Sequence, residues 1–220
     1  MAARLQIIGT SHIARESINK IKNKILDERP GIVAVELDAS RIPYLFGKKR
    51  KPKLSDIRHV GLVGFIFNLV GGFIQRKLGE KVGLAPGADI RAAIRSAERI
   101  NAKTYLIDRP IARSLQRLSE SMTFWEKLRF VGFLLGSFIL PAPKELKRLD
   151  LTRVPEDRLI ATLTSELNKR FPHIYNVLVR ERDRYMANKI DQLMENYPRE
   201  KIIVVVGAGH LRGIKKYLKS

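Results

Sequence analysis

Ile202-Ile203-Val204-Val205-Val206-Gly207-Ala208-Gly209-His210 is an apolar, β-branched run that turns at glycine and enters a basic amphipathic stretch. The same step occurs near the start, where Leu5, Gln6, Ile7 and Ile8 lead into Gly9-Thr10-Ser11-His12. Glycine at a strand end lets the backbone take φ > 0 or pass close to a ligand. Strand carboxyl ends are also where open α/β sheets bind ligands. Either step alone reads most simply as a tight turn with a surface histidine. The chain has only 4 histidines, and two of them in one local setting at opposite ends of the sequence point to a shared site.

Working outward, a strand is predicted at about 3–8 and a helix at about 13–29, whose stripe Ala14, Ile18, Ile21 and Ile25 keeps helical period until Pro30-Gly31 ends it. Ile32 to Leu37 is a nearly continuous apolar run, as expected for a strand covered on both faces. A short helix through Leu45 precedes the basic cluster Lys48, Lys49, Arg50, Lys51 and Lys53. Helices follow at about 55–82 and 88–101, then a third strand from Thr104 to Ile107 that ends at Asp108-Arg109-Pro110. The pattern is helical from there to about 197, broken near Pro141, Pro143, Pro155 and Pro172, before the last strand at 201–206 and a short terminal helix. Strands alternating with helices imply an α/β fold, a central parallel or mixed sheet between helical layers. The reading is one domain over 1–220, with an added helical hairpin at about 55–82 and 123–140.

The bulk properties bound the function. Apolar content of 45% excludes whole-chain disorder. Against 22 Asp and Glu stand 42 Lys and Arg, a formal charge of +20 that attracts anionic membranes, nucleic acid or acidic ligands. With no cysteine there is no disulfide, thiolate zinc site or cysteine nucleophile, which fits a reducing cytoplasm. The amino terminus has no signal-peptide apolar region. The basic residues show no aromatic interleaving, so nucleic acid is a minor alternative.

Two segments are unusually free of charge: Val60 to Ile74 and Phe130 to Leu140. As helices they would run roughly 22 Å and roughly 17 Å, short of the ~30 Å hydrocarbon core. They are expected to be neighbours with a shared apolar face, exemplified by Phe65 and Phe133, covered by a second copy of the chain. Burial against the sheet is one alternative, and peripheral contact with an anionic membrane is another, since Lys and Arg flank both segments.

Candidate chemistry falls at strand ends. His12 and His210 each sit near the first turn of a helix after a strand, where the helix dipole favours neutral imidazole, a metal ligand or proton acceptor. Strand alternation puts Ala34, Glu36 and Asp38 on one face, and a carboxylate at the end of so apolar a strand needs a metal, an arginine or a substrate beside it. On the helix at about 173–197, Ile174, Val177, Leu178, Tyr185, Met186 and Leu193 fill one arc at ~100° per residue. Glu181 and Arg182 fall inside that arc and Asp183 outside it, so Glu181 and Arg182 are expected to find partners toward the carboxyl edge of the sheet. Asp108 and Arg109 are weaker candidates, and His59 and His173 read as structural. No His-Glu-x-x-His, Gly-x-Ser-x-Gly or phosphate-loop pattern occurs.

Six segments in order resemble the TraB/PrgY family, within a wider group that includes Tiki proteases, erythromycin esterases and haem-binding ChaN proteins. They are Gly9 to His12, Val35 to Asp38, Gly87-Ala88-Asp89-Ile90-Arg91-Ala92-Ala93-Ile94, Ile107 to Arg109, Glu181 to Met186, and Val206 to Leu211. The family's two Gly-x-x-His histidines, its glutamate after the second strand and its late-helix arginine map onto His12, His210, Glu36 and Arg182. Arg182 is followed by Asp183, as in TraB-like members. Many relatives continue into membrane helices, whereas this sequence stops 10 residues after His210, so any membrane attachment is expected from elsewhere.

The resemblance implies a metal-dependent hydrolase, most simply a peptidase acting on small peptides. His12, His210 and Glu36 would hold a divalent metal, manganese or cobalt with zinc as a further option, and activate its water. Arg182 would stabilise an oxyanion, Glu181 would assist, and Gly9, Asp38, Arg91, Asp108, Arg109, Gly207 and Gly209 would support the site. Pheromone-shutdown and ChaN-like relatives imply the alternative, a non-catalytic regulator at the membrane surface that captures a peptide or hydrophobic ligand. The expected location is cytoplasmic, with peripheral membrane contact as an option.

Overall fold

A computed structural model describes residues 4–10, 15–47, 53–82, 87–139 and 156–218. Strands β1 (Leu5–Thr10), β2 (Ile32–Val35), β3 (Lys103–Leu106) and β4 (Ile202–Gly207) form one sheet in the order β1-β4-β2-β3. Every pairing is parallel, with Leu5 opposite Ile202, Ile32 opposite Ile202 and Ile32 opposite Lys103. Parallel neighbours require crossovers, and the long helical stretches of the sequence supply them. The last strand in sequence thus lies in the interior, between the first and second.

The two central strands are buried on both sides. Val33, Val35, Ile203 and Val205 pack on α1 (Arg15–Glu28) and α4 (Ala88–Arg99), meeting Ile21, Ile25, Ile90, Ala93 and Ala97. Ile32, Ala34, Ile202, Val204 and Val206 face the opposite way, against Met186, Ala187 and Ile190 of α9 (Glu181–Asn196) and Ile214 of α10 (Ala208–Tyr217). A two-residue period on a strand covered by helices on both faces explains why these runs are apolar throughout. The expected α/β fold with helical layers around a central sheet is the one observed.

Local signals set the helix ends. Pro30 disfavours helical geometry at the residue before it, and Arg29 takes a left-handed φ of 42°. α4 stops at Asn101, with φ of 59°, where Asn101 N–H donates to Glu98 O and Ala102 N–H to Ala97 O. This pair of reversed bonds satisfies the last carbonyls of the helix.

Helices occupy both apolar segments, with differences from the sequence reading. α3 (Ile57–Val82) and α6 (Phe124–Ile139) meet where the rings of Phe67 and Phe130 stack with centroids 6.2 Å apart. Between them lies α5 (Ile111–Ser121), whose Leu118 joins Val63 and Phe130 in one cluster. Phe65, expected on an exposed face, is instead buried against Val60 and Leu115, because α5 packs along the start of α3. The side chain of Phe133 lies outside the description.

Nor is α3 one uninterrupted helix. Gly61 has φ of 71° and ψ of 165°, a conformation open only to glycine, and it breaks the ladder bond between Val60 O and Gly64 N–H. Ser119 of α5 fills the gap, donating to Val60 O at 2.7 Å and accepting from Gly64 N–H at 2.9 Å. Gly64 lets the helices approach so closely, since a Cβ there would lie 2.7 Å from Leu115 O. Ser119→Ala strips both backbone groups of their partner and should cost about 1–3 kcal/mol in urea unfolding. Gly72→Ala, which would meet nothing within 4 Å, should leave stability unchanged or slightly raised.

Candidate functional site

Three strand ends and one helix converge at the carboxyl edge of the sheet. The β2 ladder continues one residue past its end, Glu36 N–H donating to Val205 O at 2.9 Å. The chain then turns sharply, Leu37 N–H donating back to Val35 O at 2.8 Å, and so leaves Glu36 at the edge. Its Oε2 accepts the Gly207 N–H at 2.6 Å, pinning the carboxylate to the start of α10. At the end of β3, Asp108 is buried and its Oδ1 accepts from its neighbour's amide, Arg109 N–H, at 2.8 Å.

Arg182 joins these groups. Its Nε donates to Asp108 Oδ1 at 3.0 Å, and Nη2 donates to Asp108 Oδ2 at 2.8 Å and Glu36 Oε1 at 2.6 Å. Nη1 donates to Leu178 O at 3.1 Å and lies 3.1 Å from His210 Nε2. A guanidinium has five N–H donors, and each one here has an acceptor. Burial opposes the charge, but the Asp108 and Glu36 carboxylates outweigh it and hold Arg182 firmly protonated. All five N–H donors of the expected oxyanion donor are thus engaged within the protein in this arrangement.

His210, in the first turn of α10, is buried with Nδ1 2.6 Å from Asp183 Oδ1. Asp183 accepts, so the proton sits on Nδ1, and Nε2 takes the Arg182 donor. Nε2 is also 3.3 Å from Glu36 Oε1. Gly213 allows this packing, because a Cβ there would collide with the Asp183 carboxylate. Burial raises the Asp183 carboxyl above its ordinary value, with the hydrogen bond to His210 opposing.

The sequence reading placed Asp183 outside the apolar arc, and this is a correction with a clear cause. α8 (Pro172–Tyr175) runs into α9 through a π-helical turn, Asn176–Arg180, in which Glu181 N–H reaches back five residues to Asn176 O. The extra residue shifts the register, so the buried face passes from Ile174 and Val177 to Asp183, Met186, Ala187 and Ile190. Glu181 is turned aside, accepting from Arg109 Nη1 at 2.7 Å and from Asn176 Nδ2 at 3.3 Å, with Arg117 Nε at 3.5 Å.

The other expected residues are dispersed. Asp38 does not share the face of Glu36, because the turn at Leu37 ends the alternation, and it caps the next 3-10 turn by accepting from Ser40 N–H at 2.9 Å. Arg91 is half-buried on α4. Gly209 lies in the first turn of α10. Neither Gly9 nor Gly207 has a positive φ. Gly9 instead allows close packing, since a Cβ there would lie 3.2 Å from Leu211 Cδ2 and 3.3 Å from Ala208 Cα. His12 lies outside the described residues. Beside the point where the chain leaves β1, Thr10 Oγ1 donates to buried Asp89 Oδ2 at 2.5 Å, a pairing the sequence reading missed. His173 is bonded to Glu126 and His59 is exposed.

Counting Glu36, Asp108 and Asp183 against Arg182 gives three carboxylates and one guanidinium, a formal charge of −2 with His210 neutral. Among the described residues no group of three or more His, Asp or Glu has metal-holding geometry. The pair His210 Nε2 and Glu36 Oε1, at 3.3 Å, does suit two ligands of one cation at about 2.0–2.2 Å. Both atoms are shared at present with Arg182.

Two outcomes follow from this electrostatic arrangement. Arg182→Met leaves buried carboxylates without their cation and should cost about 3–5 kcal/mol at neutral pH by urea unfolding, less in acid. For Asp183, a raised folded value means that its contribution is fully present below the unfolded value of about 4 and is lost as pH rises through the folded one. Asp183→Asn removes that titration, so the stability difference should move in the variant's favour as pH rises above about 4. A flat or opposite slope would show that Asp183 does not carry it.

The TraB/PrgY/gumN family model matches residues 2–220. An uncharacterised protein of Methanocaldococcus jannaschii is 36% identical over 220 residues, covering 98% of this chain and 53% of its own length. TraB domain-containing proteins of Mus musculus and Homo sapiens are each 26% identical over 239 residues, covering 97% of this chain and 62% of theirs. The chain thus spans between 53% and 62% of the length of these relatives. By the match along its whole length, this chain belongs to the TraB/PrgY/gumN family.

Proposed function

We propose that the chain is a metal-dependent hydrolase acting on small peptides, with its active centre at the cluster around Arg182. The observation that carries this reading is charge. Among the described residues, Glu36, Asp108, Asp183 and Arg182 together carry a formal −2 inside a chain whose net charge is +20, and negative charge out of water calls for a proton or a cation. His210 and Glu36 are the proposed donors, and Asp183 on the far ring nitrogen is the kind of partner that orients a metal-bound histidine. His12 is the proposed third donor. Gly9 pairs with Val206 and Thr10 with Gly207, so the chain leaves β1 beside the turn that presents His210. Manganese or cobalt is favoured, with zinc as an option.

Bound there, the metal would supply a water acidified toward neutrality. The chain's own groups do the positioning. Gly207 N–H fixes one oxygen of Glu36 and turns the other toward His210. Asp183 fixes the orientation of the His210 ring through Nδ1 and so aims Nε2 toward Glu36. Arg182 neutralises Asp108 and holds Glu36 in place. Glu181 braces the loop after β3 through Arg109.

Capture of a peptide without turnover is the second reading, favoured by the hold that Arg182 already has on both donors. Elemental analysis of protein purified without chelator separates the cases. The expected result is about one divalent ion per chain, mostly lost in His210→Ala and Glu36→Gln with the fold retained. Unchanged metal content in both variants would remove the metal role. Retained metal with no cleavage of a peptide library would leave capture.

A further inference from the structure

The first turns of α6 carry an arrangement that the cluster around Arg182 does not use. Phe124 is 72% exposed, Trp125 75% and Leu128 54%. Phe124 and Trp125 meet edge to face with centroids 5.7 Å apart, forming one aromatic ridge. Lys127 and Arg129 lie among them. The single carboxylate of this stretch, Glu126, is turned inward and buried, accepting the His173 N–H at 3.3 Å with His173 Nδ1 at 2.5 Å. Within 124–129 the exposed side chains are therefore apolar or cationic. Beside the ridge a cleft of about 520 Å³ is walled by Trp125, Leu128 and Pro172 and bordered by Arg129 and His173.

We propose that the start of α6 docks on the headgroup region of an anionic phospholipid membrane. Tryptophan and phenylalanine beside lysine and arginine are the side chains that settle at a membrane interface, rings at the headgroup boundary and cations on phosphate. The charge of +20 adds long-range attraction to the same partner. Docking here is interfacial, in keeping with the fact that no helix among the described residues is long and apolar enough to cross a membrane. Pro172 and His173 border the cleft, and Arg182 lies further along the same run of helix. At 1.5 Å per residue the separation is about 14 Å along the helix axis, so a docked chain carries the Arg182 cluster close to the lipid surface.

Trp125 is the only tryptophan of the chain, so its emission reports this surface alone. The full chain is mixed with phosphatidylcholine vesicles, with and without phosphatidylglycerol. Docking predicts a blue shift and co-sedimentation with the anionic vesicles only. The double variant Lys127→Glu/Arg129→Glu should bind them on the order of thirtyfold more weakly, with unchanged circular dichroism. Co-sedimentation with Trp125 still in water would place the contact elsewhere and overturn the proposal, as would equal binding to uncharged vesicles or none at all. A blue shift that grows with protein concentration in the absence of lipid would make a second copy the occupant and overturn it too.

Discussion

A buried guanidinium cannot be left partly satisfied, and Arg182 sets the terms for the carboxyl edge of this sheet. Removing such a charge from water costs several kcal/mol even after relaxation, and the cost is recovered only when geometry and hydrogen bonding are both good. Here the acceptors come from the end of β2, the end of β3, the π turn before α9 and the first turn of α10. None of these segments can shift by an ångström without stranding a donor. The sheet order serves this demand, since β2 lies between β4 and β3 and puts Glu36 within reach of both Gly207 and Arg182.

The second constraint is how α9 meets α10. An arginine and an aspartate adjacent on a regular helix point roughly 100° apart, yet Arg182 must reach the strand ends while Asp183 faces His210. The π turn supplies the register that satisfies both, and Gly213 supplies the space for Asp183. Backbone irregularity and a missing side chain are thus part of one device. Satisfied in full, such a polar network holds its members rigidly, which is the condition for a site that presents an imidazole lone pair in a fixed direction.

Physical causes also separate what the sequence disclosed from what it hid. Ile32–Val35 and Ile202–Val206 were legible as strands because coverage on both faces removes polar residues, and Glu36 and Arg182 stood out as charges in apolar company. Asp183 was hidden by the π turn, which regular periodicity cannot reveal. Asp38 was misplaced because alternation was carried past the turn at Leu37. Phe65 looked available for a partner molecule because composition does not say which helix of the same chain will cover it, and α5 does. The glycines at the two strand ends were read as conformational, whereas Gly9 acts by allowing close packing.

Among the described residues, the three carboxylates bonded to Arg182 and His210 outnumber the one guanidinium although the chain as a whole is strongly positive, and that imbalance links proton and cation occupancy. In acid the excess charge can be met by a proton on Asp183, whose carboxyl burial already favours the neutral form. A neutral Asp183 withdraws negative charge from the imidazole it orients and makes His210 a poorer donor to any metal. As pH rises the carboxylate regains its charge, the Nδ1 bond strengthens, and Nε2 becomes the better ligand. On the hydrolase reading, metal affinity must then climb with pH and binding must release protons, as it does wherever ligands and protons compete for the same atoms. Arg182 sharpens this competition rather than ending it. Its donors engage both Glu36 and His210, so a metal held by that pair would have those hydrogen bonds to replace.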